Sequence, residues 1–163
     1  MTADLDPRYR FENYIVGSAN RLAVSAAKAV AQSPGTAYNP LFIYSSSGLG
    51  KTHLMIAVGH LAIQLNPALT ALYITLDEFV EELTAAVSAG TIEQYKQRFT
   101  NVDLLLLDDV QFLAGRSLVR MICFPARWSA LNKRSISLCV SRRPARNCTS
   151  SSSRRSTSWK RCL

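Results

Sequence analysis

The chain has 163 residues, 48% of them apolar, and a formal net charge of +8. That length suits one domain with a real core, and no apolar run reaches the roughly 18–20 residues needed to cross a bilayer. The opening run, Met1-Thr-Ala-Asp-Leu-Asp-Pro-Arg8, lacks an apolar signal core, so a cytoplasmic protein is expected.

Residues 1–12 are polar and read as extended. Ser18 is placed to cap a helix reaching about Gln32, with Leu22, Ala23, Ala26, Ala27 and Val30 at helical spacing. Ser33-Pro34-Gly35 ends it. A short apolar strand, Leu41–Tyr44, leads into a loop holding Gly48 and Gly50. Lys51-Thr52 then opens a helix to about Leu65, closed by Asn66-Pro67. A second strand spans Ala71–Thr75. Thr75 with Glu78 forms a capping-box pattern that starts a helix to about Ser88, with Phe79, Val80, Leu83 and Val87 on one side. Gly90 precedes a shorter helix, where Thr91 and Gln94 repeat the box. The third strand is Val102–Leu107, and beyond Arg116 the one strand candidate is Ser135–Val140. The order β–α–β–α–α–β predicts an α/β fold, a parallel sheet with flanking helices.

Strand, glycine loop, Lys-Thr and helix form the layout of a phosphate-binding loop. Backbone N–H groups and the helix N-terminus cradle phosphates there; the lysine reaches the β/γ-phosphates and the threonine hydroxyl ligates Mg²⁺. The strict pattern has glycine six residues before the lysine, where this chain has Ser45, followed by Ser46 and Ser47. If the loop needs positive φ at Ser45, a side chain costs about 1–2 kcal/mol. A second motif supports the first. Asp103-Leu-Leu-Leu-Leu-Asp108-Asp109 reads as a central strand, apolar on both faces, with carboxylates at the C-terminal edge where α/β sheets bind ligands. Asp108 would serve the metal, and Asp109 would orient or activate the attacking water. His53 and His60, seven residues apart on the loop's helix, read as surface or packing residues rather than ligands.

The charge is unevenly distributed. Residues 1–115 hold seven basic and all eleven acidic residues, a net −4, whereas residues 116–163 hold twelve basic residues and no acid. All seven glycines lie in the first part; Cys123, Cys139, Cys148 and Cys162 lie in the second, with no C-x-x-C spacing for zinc. Trp128 and Trp159 fall in no pattern that assigns them a role. The basic part reads either as a phosphate-contacting module or as the irregular product of a shifted reading frame.

Four stretches resemble the bacterial DnaA family of chromosomal replication initiators, members of the AAA+ ATPases. They are Arg10-Phe-Glu-Asn-Tyr-Ile-Val-Gly-Ser-Ala-Asn20, Ala37-Tyr-Asn-Pro-Leu-Phe-Ile-Tyr44, Gly48-Leu-Gly-Lys-Thr-His-Leu-Met55 and Asp108-Asp-Val-Gln-Phe-Leu-Ala-Gly115. The resemblance runs from about Leu5 to Arg116. It implies a partial AAA+ nucleotide-binding domain over 1–116, with three strands of a five-stranded sheet, followed by the basic tail over 117–163. It further implies that Ile15, Val16 and Gly17 sit against adenine. Gly48, Leu49, Gly50, Lys51, Thr52 and His53 would hold the triphosphate of ATP. Thr52 and Asp108 would hold Mg²⁺, and Asp109 would be catalytic. The helix pair from Asp77 to Phe99 looks like the family's insertion that lines a channel for single-stranded DNA, with Lys96 and Arg98 as phosphate contacts. In the complete family, ATP drives self-oligomerisation and opening of origin DNA.

The chain also departs from the family. The family's loop has Gly-Gly-Val at the positions of Ser45-Ser46-Ser47. No sensor residues, arginine finger, helical lid, origin-reading helix-turn-helix or helicase-loading domain are recognisable. An arginine finger is worth about 10³–10⁵ in rate in related systems, so slow hydrolysis is expected. Three readings remain: an initiator fragment that binds ATP and DNA, an inactive remnant, and a related AAA+ helper such as a helicase loader or transposition ATPase.

Overall fold

The computed structural model describes residues 5–100, 102–110 and the strand 136–141. The chain runs through a 3-10 turn (Phe11–Asn13), α1 (Arg21–Gln32), β1 (Leu41–Tyr44), α2 (Lys51–Leu65), β2 (Ala71–Thr75), α3 (Leu76–Ser88), α4 (Ile92–Thr100), β3 (Leu104–Asp108) and β4 (Ile136–Ser141). The sheet is parallel with strand order β1-β4-β3-β2. The three strands expected between residues 41 and 108 are present. The candidate at Ser135–Val140 is realised as β4, which pairs Leu138 with both Leu41 and Leu106. The expectations for Gln111–Gly115, Cys123, Cys148, Cys162, Trp128 and Trp159 lie outside the described residues.

β3 is buried at all five positions, and its period-two alternation divides the core. Leu104 and Leu106 join the cluster under α1 and α2, with Val30, Leu41, Ile43, Met55 and Val58. Leu105 and Leu107 join the cluster under α3 and α4, with Ile74, Phe79, Leu83 and Phe99. Each fully buried leucine contributes about 1.5–3 kcal/mol, so the four-leucine run ties both helical layers to one strand. α2 packs tightly on β3 at Gly59, where a Cβ would lie 2.8 Å from Cδ1 of Leu106 and equally close to Leu5. Glycine there lets the helix settle onto the sheet and leaves room for Leu5.

Local signals set most of the boundaries. The stretch read as extended up to residue 12 instead turns at Asp6–Tyr9, where Tyr9 N donates to Asp6 O at 3.1 Å, and enters the 3-10 turn at Phe11. Two helix and strand starts also shift. α1 begins after Asn20 rather than at Ser18. The Asn20 side chain caps no helical N–H; it accepts from Gly17 N at 2.8 Å and donates to Ile15 O at 2.9 Å. β3 begins at Leu104 rather than Val102, because Asp103 bonds across the strand entrance. Its N–H donates to Thr70 O at 2.9 Å, and its carboxylate accepts from Thr70 N at 3.0 Å.

The α3 capping box forms as its sequence dictates. Glu78 N donates to Thr75 Oγ1, while Glu78 Oε2 accepts from Thr75 N at 2.9 Å and from Thr75 Oγ1 at 2.7 Å. These donors hold the Glu78 carboxyl below its ordinary value. A carboxyl lowered in the fold stabilises above its unfolded pKa and loses that contribution as pH falls through the folded value. Urea midpoints taken from about pH 6 down to pH 3 should therefore fall less steeply for Glu78→Gln than for the parent chain. Parallel profiles would mean the box contributes nothing across that window.

Candidate nucleotide site

β1 ends at Tyr44, and the loop 45–50 turns the chain into α2. Gly48 and Gly50 take the left-handed conformation, with φ of 82° and 75°. Gly50 has a second reason to be glycine: a Cβ there would lie 3.0 Å from Cε2 of Tyr14. None of Ser45, Ser46 and Ser47 has positive φ, so the serine at the strict pattern's glycine position carries no left-handed strain. The first α-helical hydrogen bond is Leu54 N to Gly50 O at 2.9 Å. The N–H groups of Lys51, Thr52 and His53 precede it and carry the positive end of the helix dipole. Lys51 is buried, and its ammonium donates to Ser46 O at 2.8 Å and Ser45 O at 3.2 Å.

The carboxylate end of β3 meets this loop. Thr52 Oγ1 donates to Asp108 Oδ2 at 2.8 Å, across 56 residues of chain. Asp108 is only 4% exposed. Its other oxygen accepts from Asp109 N at 2.8 Å, and Tyr73 Oη lies 3.4 Å from Oδ2. Burial, then the Asp108 charge, pushes the Tyr73 hydroxyl well above the ordinary phenol range. Asp109 has φ of 57°, the one positive φ outside glycine among the described residues, a conformation that costs about 1–2 kcal/mol for most side chains and less for Asp. Hydroxyl and carboxylate oxygens are hard donors, and the pair suits Mg²⁺, which usually keeps its waters and takes one or two carboxylates plus phosphate oxygens.

The segment before α1 lies against this loop. Tyr14 Oη donates to Leu49 O at 3.4 Å, and burial pushes the Tyr14 hydroxyl upward in pKa. The His53 ring lies against Tyr9 and Tyr14, with centroids 5.0 and 5.1 Å away, and its Nε2 is 2.8 Å from Arg10 O. The imidazole is thus engaged with this segment, leaving the backbone N–H as the His53 group at the helix start. Ile15 and Val16 are 89% and 51% exposed, in a turn shaped by Asn20.

The Thr52–Asp108 bond brings the Lys51-Thr52 and Asp108-Asp109 pairs together, and Tyr14 links the segment that holds Ile15, Val16 and Gly17 to the same loop. Lys96 and Arg98 lie apart on α4, paired with Glu93 and Glu82 at 2.7 and 2.6 Å. Sequence reasoning gave no role to Tyr14, Asn20 or Tyr73. For Tyr73 a signal existed: β2 alternation sets it opposite Leu72 and Ile74, on the α2 side.

A glycine loop closed by Lys-Thr at a helix N-terminus, bonded to an aspartate at the end of a buried parallel strand, defines a P-loop α/β domain. The model of the bacterial DnaA ATPase domain matches residues 5–159, and the chain belongs to that family. The chromosomal replication initiator protein DnaA of Streptococcus uberis is 47% identical over 119 residues, covering 73% of this chain and 26% of that protein. The chain thus spans about a quarter of the length of the curated relatives it matches. Domain III of the Thermotoga maritima replication initiation protein DnaA superposes with a TM-score of 0.80 at 40% identity, covering 87% of this chain and 60% of that one. A replication initiator DnaA bound to AMPPCP and single-stranded DNA superposes with a TM-score of 0.77 at 37% identity, covering 86% and 43%.

Removing the Thr52 hydroxyl leaves a buried carboxylate one donor short. Thr52→Val should lower stability by about 1–3 kcal/mol in urea unfolding, and Thr52→Ser by much less. Equal losses in both variants would show that methyl packing, not the hydrogen bond, matters at this position.

Proposed function

We propose that this chain is the ATP-binding part of a DnaA-type replication initiator. The observation that carries this reading is the 2.8 Å bond between Thr52 and Asp108, which joins the phosphate loop to the acidic strand end. Gly48, Leu49 and Gly50 shape the loop; the N–H groups of Lys51, Thr52 and His53 and the Lys51 ammonium bind the triphosphate. Ile15, Val16 and Gly17 contact the adenine, a role supported by their exposure and by the link from Tyr14 to Leu49. Thr52 and Asp108 would hold Mg²⁺, which would supply charge neutralisation to the triphosphate. Asp109, fixed beside Asp108 through its own N–H, orients the attacking water.

Lys51→Ala should abolish binding of a fluorescent ATP analogue in the presence of Mg²⁺. Binding that survives this change would remove the proposed site.

A second interaction follows from the relative described with single-stranded DNA bound. Lys96 and Arg98 contact phosphates from α4. Their exposed ion pairs with Glu93 and Glu82 are worth about 0–1 kcal/mol each, so a DNA phosphate can displace either glutamate. The surroundings oppose this, because α3 and α4 also carry Asp77, Glu78 and Glu81. DNA binding by this helix pair is therefore weak, with the shallow salt dependence of two phosphate contacts. Replacing both Lys96 and Arg98 with Ala should reduce the slope of log K against log salt by about 1.4, from roughly 0.7 per single-strand contact. An unchanged slope would move the DNA contacts elsewhere on the chain.

A further inference from the structure

His53 follows the Lys-Thr pair directly, yet its ring makes its contacts with the segment before α1. A carbonyl oxygen only accepts, so His53 Nε2 donates its hydrogen to Arg10 O at 2.8 Å. Tyr9 and Tyr14 pack against the same ring, Tyr14 edge-on. Tyr14 in turn donates to Leu49 O in the phosphate loop and occupies the space beside Gly50. One α2 side chain thus contacts Tyr9, Arg10 and Tyr14 of the segment that ends in Ile15-Val16-Gly17.

The Ile15–Gly17 turn has its own internal brace in Asn20, which bonds Gly17 N and Ile15 O. That brace fixes the shape of the turn but not its distance from the phosphate loop. Nearest the loop, that distance is set by the His53 and Tyr14 contacts. Further back, His60 Nε2 lies 2.9 Å from Asp6 O, and Leu5 packs beside Gly59. The segment is therefore laid along α2, and His53 is its attachment at the nucleotide end.

We propose that His53 is a positioning residue that holds the base-side turn at a fixed offset from the phosphate loop. ATP then meets both halves of its site already arranged. This role rests on the nucleotide-binding reading above. It requires His53 to matter for a ligand that spans base and triphosphate, and not for one that occupies the phosphate loop alone. If the turn is free to drift, only a fraction of molecules can bind both ends, and the apparent affinity for the spanning ligand falls by that fraction.

The test compares Mg-ATP with Mg-tripolyphosphate on the full 163-residue chain, by calorimetry. His53→Leu should weaken ATP binding by about tenfold and leave tripolyphosphate binding within about twofold. His53→Gln, whose amide N–H can reach the same carbonyl, should restore much of the ATP affinity. Tyr14→Leu provides an independent variant with the same expected pattern if His53→Leu fails to fold. A parallel loss of both ligands in His53→Leu or Tyr14→Leu, or no loss of either, overturns the positioning role. Failure of His53→Gln to recover ATP binding in a folded protein does so too. Lys51→Ala serves as the control. If it leaves both ligands bound, the nucleotide site itself fails, and the positioning role with it. If it abolishes both while His53→Leu lowers both equally, the positioning role alone is lost.

Discussion

The hydrogen bond from Thr52 to Asp108 depends on a strand that has no solvent face. β3 buries leucines on both sides, so its height and tilt are set by two cores at once, one under α1 and α2 and the other under α3 and α4. Asp108 closes that strand and is itself buried, so its carboxylate requires partners. Thr52, Tyr73 and the Asp109 N–H supply them. The phosphate loop is held against the sheet by the same contacts that satisfy this acid. Hydrophobic burial sets the strand, the strand sets the carboxylate, and the carboxylate sets the first turn of α2.

Charge is arranged in the opposite way on the two sides of the sheet. On the α2 side, a buried lysine donates to two loop carbonyls at a helix start whose dipole is positive. That concentration of positive potential suits a polyphosphate. On the other side, α3 and α4 carry five acids against Lys96 and Arg98. The two cations are partnered within the helix pair, so a nucleic acid would have to exchange one carboxylate for one phosphate at each. Any gain from such an exchange would come from counterion release more than from direct Coulomb attraction.

Family membership covers more of the chain than the motifs alone do. The resemblance read from residues ends near Arg116, whereas the family model continues to residue 159. β4 lies in that later part and pairs between β1 and β3. Its sequence, Ile-Ser-Leu-Cys-Val-Ser, has the alternation of a strand, but its position at the centre of the sheet could not be read from that pattern. Strand order follows from which edges remain unpaired once β1 and β3 are separated, a non-local matter.

The sequence alone determined the elements whose causes are local. Thr75 and Glu78 fix the start of α3, Gly48 and Gly50 supply the left-handed loop, and the four leucines declare a strand buried on both faces. It also made Lys51, Thr52, Asp108 and Asp109 candidates for one site, since their residue types and order carry that chemistry. Only the tertiary structure decided that Ser45 needs no positive φ, because the left-handed positions of the loop fall at Gly48 and Gly50 instead. It likewise decided that Asn20 braces a turn instead of capping a helix. His53 gave no local sign of its partner. Arg10 lies 43 residues earlier in the chain, and only the packing of the first segment along α2 brings that carbonyl within reach.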